Sequence, residues 1–260
     1  FEELGLDYYG PIDGHDLPTL IKTLQNLKTQ KKPILLHLIT KKGYGLDSAE
    51  NDPCKFHGIA PASDHLSTLD SYSDVFGRWL TNMADKHKEL IAITPAMCTG
   101  SGMSEFETNY PEQYFDVGIA EQHALTFAAG LATQGLKPVV AIYSTFLQRG
   151  YDQLIHDIAL QNLNVIFAID RAGLVGGDGA THAGCFDLSF LRCIPNLIIM
   201  APSNGLELYQ MLNTAFEVEA PVCIRYPRGV ANTENYETQE LVEIGKGKVL
   251  LEGKKTAIFA

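Results

Sequence analysis

Short apolar runs alternate with longer amphipathic stretches through most of this chain, and the pattern predicts alternating strands and helices. The apolar runs are continuous, which is typical of strands that are buried on both faces. Strands separated by helices in this way imply an α/β fold with a parallel sheet. The predicted strands are residues 34–39, 90–94, 139–143, 165–169, 197–200 and 222–225, and the predicted helices are residues 17–28, 72–86, 120–134, 151–161 and 206–217.

Two stretches lack this periodicity and suggest boundaries between units. Residues 41–69 contain several glycines and prolines but no repeating apolar pattern, so we expect a loop or linker there. After Asn232 the chain stays polar until Ile244, and we expect the short β-rich start of another unit to follow. The chain begins at Phe1 rather than at a methionine and stops within an apolar run, so we expect a piece of a longer protein.

Charge and composition narrow the class of protein. The 260 residues are 45% hydrophobic and 20% charged, values that suit a globular protein. A formal net charge of −11 makes nucleic acid and anionic membranes unfavourable general partners. No apolar run approaches the roughly 18 residues of a membrane span. The five cysteines form no C-x-x-C pair, and no H-E-x-x-H occurs, so we expect reduced thiols and no zinc site.

Polar loops follow three of the predicted strands, and ligands of open α/β sheets bind beyond such carboxyl ends. Tyr143 ends the strand at 139–143 and Phe146 follows it, Arg171 follows the strand at 165–169, and Arg228 follows the last strand. A guanidinium group binds phosphate or carboxylate through two parallel hydrogen bonds. Each arginine could equally pair with a structural carboxylate, so position alone leaves both roles open.

Glu121 is the one acidic residue at the start of a helix that is otherwise small and apolar. The helix dipole favours a carboxylate in a first turn, and this alone could explain the residue. A glutamate near the start of a buried helix can also act as a tuned acid or base. The sequence chemistry supports both interpretations.

Several motifs together resemble the 1-deoxy-D-xylulose-5-phosphate synthase family, across essentially the whole chain. The loops at residues 143–149 and 178–182 point to this family in particular within the wider transketolase group. The motifs are Gly10-Pro-Ile-Asp-Gly-His15, Thr40-Lys-Lys-Gly43, Phe115-Asp-Val-Gly-Ile-Ala-Glu-Gln-His-Ala124, Ala141-Ile-Tyr-Ser-Thr-Phe-Leu-Gln-Arg149, Asp170-Arg-Ala-Gly-Leu-Val-Gly176, Asp178-Gly-Ala-Thr-His182 and Arg225-Tyr-Pro-Arg-Gly229.

The resemblance implies a fold and a domain order. The fold would be the transketolase-like, parallel-sheet fold that binds thiamine diphosphate. Residues 1–62 would be the C-terminal tail of the diphosphate-side domain with a linker. Residues 63–232 would form the pyrimidine-binding domain, and residues 233–260 would begin the C-terminal transketolase-like domain.

The resemblance also implies a reaction. The full enzyme would decarboxylate pyruvate on thiamine diphosphate and join the two-carbon unit to D-glyceraldehyde 3-phosphate. The products would be carbon dioxide and 1-deoxy-D-xylulose 5-phosphate, which feeds isoprenoid, thiamine and pyridoxal synthesis. Family members are homodimers, and the compartment would be the cytoplasm of a bacterium or the plastid of a eukaryote.

By motif match, Glu121 would hydrogen-bond the aminopyrimidine ring of the cofactor and so promote proton removal. Phe146 would stack on that ring, although it could also be an ordinary core residue. Arg171 and Arg228 would hold the phosphate of the acceptor, with Tyr143 in the same pocket.

Four further residues acquire roles from the same resemblance. His182 and Asp178 would bind pyruvate or the developing intermediate, with His182 as a catalytic residue. Lys42 and His57 come from the upstream unit and would reach the cofactor side or the acceptor, with His57 as a second candidate for proton transfer.

A magnesium motif is imitated but not expected here. Thiamine enzymes hold Mg²⁺ through a Gly-Asp-Gly that directly ends a strand, followed by an asparagine about 25–30 residues later. Gly177-Asp-Gly179 and Asn204 have this spacing, but the glycines lie well into a loop. We therefore assign Asp178 to the substrate loop and expect the Mg²⁺ ligands upstream of Phe1, so that this piece alone should not hold the cofactor.

Two rival interpretations remain. The chain could belong to another enzyme of the same fold, such as transketolase or the β-subunit of a 2-oxoacid dehydrogenase, which receives its metal motif from a separate chain. It could instead be a non-catalytic module derived from the fold. The upstream stretch 10–42 argues against the β-subunit, and the joint presence of Glu121, Arg171, His182 and Arg228 argues against the non-catalytic module.

Overall fold

The computed structural model describes residues 1–54, 56–57 and 69–258. The chain folds as two compact units, Phe1–Leu66 and Ser67–Ala260. The predicted boundary between residues 62 and 63 lies outside the described residues. No helix in the described ranges is long and apolar enough to cross a membrane.

The first unit is built on a parallel pair of strands joined by one helix. Asp16 caps that helix by accepting a hydrogen bond from the Thr19 amide, and Pro18 occupies its first turn, as predicted. The elements are β1 (Asp7–Asp13), α1 (Leu17–Leu27), β2 (Ile34–Ile39) and α2 (Asp47–Asn51).

Two expectations for this unit were wrong. The strand at Ile34–Ile39 has the predicted bounds, but its side chains are only half-buried or exposed. A sheet of two strands cannot enclose both faces of a strand, so the continuous apolar run does not guarantee burial here. The stretch expected to be loop contains helix α2, whose residues Asp47–Asn51 are too few for a helical repeat to register in the sequence.

The second unit contains a six-stranded sheet in which every pairing is parallel, with the strand order β4-β3-β5-β6-β8-β7. The α/β class with a parallel sheet is therefore confirmed. The strands are β3 (Leu90–Thr94), β4 (Tyr114–Asp116), β5 (Lys137–Tyr143), β6 (Ile166–Asp170), β7 (Ile198–Met200) and β8 (Val222–Arg225). The helices are α3 (Tyr72–Ala84), α4 (Ser104–Asn109), α5 (Glu121–Ala132), α6 (Ser144–Leu147), α7 (Tyr151–Gln153), α8 (Asp187–Leu191) and α9 (Gly205–Glu217).

The long predicted elements of this unit form within a few residues of their expected bounds, and the short ones were missed. The missed elements are β4, α4, α6 and α8, each of at most six residues. The helix expected at 151–161 instead continues from α7 as a π-helical segment, Leu154–Ala159. No strand forms between residues 226 and 258 of the described chain, so the expected β-rich start of another unit is not seen there.

Alternating residues of the central strands enter two separate cores, one on each face of the sheet. Val139 and Ala141 of β5 pack with Trp79 of α3 and the aromatic end of α9. Val140 and Ile142 pack on the other face with Leu125 of α5 and the π-helical segment. Because a strand turns successive side chains to opposite faces, the continuous apolar runs fill both layers, as predicted.

Candidate functional site at the carboxyl edge of the sheet

Three neighbouring strands end together and carry most of the residues that the sequence singled out. In the strand pairing, Tyr143 at the end of β5 lies beside Asp170 at the end of β6, and Ile169 lies beside Arg225 of β8. Arg171 follows directly after β6, and Arg228 lies three residues beyond β8. The predicted edge of the sheet is therefore where these side chains meet.

Three aromatic rings form a cluster at this edge. The rings of Tyr143 and Phe146 stack with centroids 5.2 Å apart and planes 9° apart. His182 meets Phe146 edge-on at 5.4 Å and Tyr143 at 6.4 Å. The Thr145 hydroxyl donates to the Thr181 carbonyl at 3.1 Å, which ties the His182 turn to the start of α6. One face of Phe146 is thus taken by Tyr143, and the ring itself is only half-buried.

Arg171 is held by several groups at once. Its Nη1 donates to Asp170 Oδ2 at 2.8 Å, to the Gly100 carbonyl at 2.9 Å and to Ser73 Oγ at 3.0 Å. Its guanidinium carbon lies 4.4 Å from the centre of the Tyr143 ring, within cation–π range. The residue has a φ of 56°, a left-handed conformation that is uncommon for a side-chain-bearing residue. The local contacts therefore specify where this charge lies.

Asp178 sits between the two arginines. Its Oδ1 lies 3.2 Å from Nη1 of Arg228, and its Oδ2 lies 3.8 Å from Nε of Arg171. A side chain at Gly177 would place Cβ 2.7 Å from the same Arg228 nitrogen, so the end of the Arg228 side chain lies close to the backbone beside Asp178. The two cationic groups converge on a single carboxylate, which marks a position suited to an anion.

The loop that carries Asp178 and His182 is closed at its base. Gly173 and Gly184 exchange two backbone hydrogen bonds of 2.8 Å, so the chain leaves and re-enters the sheet edge at one point. A Cβ at Gly184 would lie 2.2 Å from the Arg171 carbonyl, which explains the glycine at this crossing. The loop presents its side chains from a fixed base.

Burial controls the protonation of two groups in the site. Burial raises the pKa of Tyr143 to about 12, with the nearby Arg171 cation opposing the shift. Tyr143 is therefore a neutral phenol at physiological pH. Burial also raises the pKa of Asp170, against the opposing influence of Arg171 and the hydrogen bond from Ser73.

Glu121 lies at the first position of α5 and is 6% exposed. Within the described ranges, its carboxylate makes no hydrogen bond and no ion pair. Its carbonyl oxygen lies 3.4 Å from a Cβ built at Gly150, just past the turn that carries Phe146. The predicted buried carboxylate is present, but no polar contact joins it to the cluster of Tyr143, Phe146 and His182 in the part of the chain described.

Lys42 and His57 belong to the first unit, where they meet each other. Lys42 Nζ lies 2.6 Å from His57 Nδ1, and both side chains are exposed. The two residues are fifteen positions apart in the sequence, and no spacing rule predicts that they meet.

The two residues with the spacing of a magnesium motif, Asp178 and Asn204, each contact other groups of the protein. Asn204 Oδ1 accepts a hydrogen bond from the Glu207 amide at 2.9 Å and caps α9. Asp178 faces the two arginines instead. Among the described residues, no group of three or more histidine, cysteine or acidic side chains could hold a metal ion.

Ser73 and the Gly100 carbonyl are the site residues that sequence reasoning missed. Ser73 lies between the capping-box residues Ser71 and Asp74, and its own hydroxyl donates a hydrogen bond to Asp170 at 2.7 Å. Their contacts to Arg171 span 98 and 71 residues of sequence, so no local signal marks them.

Comparison with known proteins connects this site to a family. The family model described as the transketolase pyrimidine binding domain matches residues 70–233, which include all three strand ends of the site. The chain belongs to this transketolase pyrimidine-binding family. A second family model, described as 1-deoxy-D-xylulose-5-phosphate synthase, matches residues 1–40.

Curated relatives extend the similarity over the whole chain. The chain is 58% identical to 1-deoxy-D-xylulose-5-phosphate synthase of Actinobacillus pleuropneumoniae serotype 5b, over 100% of this chain and 43% of that protein. It is 59% identical to the synthase of Methylococcus capsulatus, over 100% of this chain and 42% of that protein. The resemblance drawn from the motifs is confirmed. The chain spans about two fifths of the length of these curated relatives.

Solved structures agree on the fold. A split-gene transketolase, solved as an inactive β4 tetramer, is 29% identical with a TM-score of 0.61, covering 70% of this chain and 59% of that chain. Transketolase from Campylobacter jejuni is 18% identical with a TM-score of 0.58, covering 90% of this chain and 48% of that chain. The predicted transketolase-like fold is confirmed.

Proposed function

We propose that the full-length protein containing this chain is a thiamine-diphosphate-dependent 1-deoxy-D-xylulose-5-phosphate synthase. It joins pyruvate to D-glyceraldehyde 3-phosphate and releases carbon dioxide. The full-chain identity of 58% to proteins of that name carries the proposal. The convergence of Arg171 and Arg228 on one carboxylate supports it independently, because this arrangement suits a phosphorylated acceptor.

The residues fit the pyrimidine side of the cofactor. When bound, thiamine diphosphate supplies the carbon centre that carries the two-carbon unit. Glu121 is buried at a helix start, has no hydrogen bond in the described ranges, and can bond a ring nitrogen of the aminopyrimidine. A positioned proton-transfer group of this kind contributes roughly 10²–10⁴ in rate. Phe146 offers the ring face that Tyr143 does not cover for stacking on the pyrimidine.

The acceptor pocket uses the other side chains at the sheet edge. Arg171 and Arg228 hold the phosphate, and each charge-assisted hydrogen bond contributes about 1.5–3 kcal/mol. Tyr143 stays a neutral hydrogen-bonding phenol in the same pocket. His182 and Asp178, on the loop closed at Gly173 and Gly184, bind pyruvate or the developing intermediate, and His182 moves a proton.

Lys42 and His57, which both belong to the first unit, are the remaining residues with a proposed role. Their contact of 2.6 Å places a cation next to a titratable imidazole, a combination suited to binding an anionic group and moving a proton. We assign no Mg²⁺ ligand to the described residues, since Asp178 and Asn204 are engaged elsewhere. Any metal that the cofactor requires would therefore be held by other parts of the full protein.

The proposal extends to assembly and compartment. The full-length protein acts as a homodimer, in the cytoplasm of a bacterium or the plastid of a eukaryote, as the family resemblance implies, and its ligands are small molecules. Sedimentation of the full-length protein tests the dimer.

One rival activity is favoured by a specific observation. The structural similarity to a split-gene transketolase, at 29% identity, suits a chain that transfers two carbons from a sugar phosphate. The deciding experiment measures carbon dioxide released from pyruvate by the full-length protein, with and without D-glyceraldehyde 3-phosphate. Release that depends on the acceptor supports the synthase. Preference for a sugar-phosphate donor supports transketolase, and the absence of both activities supports a non-catalytic module.

A variant tests the role of the glutamate within the same assay. Glu121→Ala abolishes acceptor-dependent release while the thermal unfolding of the protein is preserved, because the side chain makes no polar contact in the described ranges. Near-normal turnover of this variant would refute the assigned role.

A further inference from the structure

We propose that Ser73, the Gly100 carbonyl and Asp170 form a wall that positions Arg171, and that recognition of the acceptor phosphate depends on this wall. The inference rests on the proposed function for the role of Arg171. These groups bond to one nitrogen of the guanidinium and are positioning groups, since none of them is assigned to touch the substrate.

The three contacts restrict the arginine strongly. All three acceptors share the two N–H groups of Nη1, at 2.8, 2.9 and 3.0 Å. The Tyr143 ring covers one face of the guanidinium at 4.4 Å. With Nη1 anchored and one face covered, Nε is turned toward Asp178, where the Arg228 charge also converges. The wall thereby decides which edge of the guanidinium faces the ligand.

Ser73 has the central place in the wall. Its hydroxyl donates to Asp170 Oδ2 at 2.7 Å and accepts from Arg171 Nη1 at 3.0 Å. It therefore links the carboxylate and the guanidinium, which also contact each other directly at 2.8 Å. A hydroxyl that both donates and accepts in this way fixes the angle of the pair as well as its distance.

A contact between two glycines brings the wall together. Gly77, in α3, lies so close to the Gly102 carbonyl that an added Cβ would be 2.0 Å from its oxygen. A Cβ at Gly102 would in turn lie 2.2 Å from the Ser73 carbonyl. The first turn of α3 and the loop after β3 are thus pressed backbone against backbone. This close approach is what lets Ser73 and the Gly100 carbonyl reach the same guanidinium.

The test replaces a residue of the wall and compares the KM values of two acceptors. In the full-length protein, Ser73→Ala raises the KM for D-glyceraldehyde 3-phosphate about tenfold, the value of one hydrogen bond of this strength. The KM for unphosphorylated glyceraldehyde, the KM for pyruvate and kcat stay within about twofold, since only phosphate recognition depends on the wall. A purely structural role would shift the KM of both acceptors together.

A matched control isolates the hydroxyl. Ser101 is a fully buried serine in the same loop as Gly100, and its hydroxyl has no hydrogen-bond partner in the described ranges. Ser101→Ala removes a comparable atom without touching the wall, so the ratio of the two acceptor KM values stays at the wild-type value. Asp170→Asn supplies a second perturbation of the wall that preserves the shape of the side chain, and it raises the same ratio.

A binding measurement separates this inference from the proposed reaction. Inorganic phosphate is titrated calorimetrically into the full-length protein and into the Ser73→Ala and Ser101→Ala variants. Weaker phosphate binding by Ser73→Ala alone supports the wall even if the wild type releases no carbon dioxide, in which case only the proposed reaction falls. Equal phosphate binding by all three proteins, or an equal rise of both acceptor KM values in Ser73→Ala, overturns the wall.

Discussion

Gly77→Ala is the sharpest structural test of how the site is built. The new Cβ would lie 2.0 Å from the Gly102 carbonyl oxygen, whereas real Cβ atoms keep at least 3.0 Å from their neighbours. The two backbones must therefore separate by about 1 Å (3.0 − 2.0 Å). No side-chain rotation can relieve this contact, because both partners are main chain.

The magnitude follows from two opposing effects. Alanine in place of a helical glycine gains about 0.4–1 kcal/mol by restricting the unfolded chain. Overpacking a dense interior costs about 1–3 kcal/mol. The net expectation is a loss of about 1–2 kcal/mol in the free energy of unfolding, with a Tm lower by about 2–8 °C for a unit of this size.

Gly130 provides the matched control, since it also lies inside a helix, α5, but a Cβ there meets nothing within 4 Å. Gly130→Ala should gain about 0.4–1 kcal/mol. Thermal unfolding of the 260-residue chain and both variants, followed by far-ultraviolet circular dichroism, measures the difference. If Gly77→Ala is as stable as Gly130→Ala, the close contact between Gly77 and Gly102 does not exist as described.

Three further outcomes are expected. Arg228→Met should raise the KM for the phosphorylated acceptor by about tenfold or more, because a charge-assisted hydrogen bond contributes about 1.5–3 kcal/mol. Steady-state kinetics with both acceptors measure this effect. An equal rise in the KM for glyceraldehyde would contradict the prediction. Tyr143→Phe should leave the alkaline limb of the pH–rate profile unchanged to about pH 10, because the raised pKa keeps the wild-type phenol neutral there. A shift of that limb in the variant would mean that the wild-type phenol loses its proton below about pH 10. Asp187→Asn should lower the free energy of unfolding by about 3–5 kcal/mol, because it leaves Arg225 without the carboxylate that it contacts at 2.8 and 3.2 Å. Urea unfolding measures the change. A midpoint equal to that of the wild type would contradict a buried ion pair.

The apolar pattern was sufficient for five of the six strands of the larger sheet, but not for β4 or for the short helices. The runs at 90–94 and 222–225 became strands with the predicted bounds, since each opens with three or four consecutive apolar residues, which are typical of a buried strand. Strand β4, with three residues, carries too short a pattern to register. For residues 34–39 the pattern predicted the strand but not its burial, because burial depends on the number of strands in the sheet.

The candidate site divides in the same way. The rule that ligands bind beyond the carboxyl ends of parallel strands selected Tyr143, Arg171 and Arg228 from the sequence, and the structure brings them to one edge. The same sequence offered no sign that Ser73 holds the guanidinium, since a serine at a helix start is expected to serve the cap. Spacing alone also allowed a metal role for Asp178, and no local pattern showed that its carboxylate lies beside two arginines.

The sequence by itself determined the α/β class, the parallel sheet, the edge where polar residues collect and the buried start of the helix at Glu121. These are local properties, because periodicity, caps and strand ends are encoded in neighbouring residues. The tertiary structure alone decided which groups surround Arg171 and how closely they approach. That outcome depends on contacts across 71 to 98 residues and on two glycines whose missing side chains let the backbones touch, and no local pattern encodes a distance of that kind.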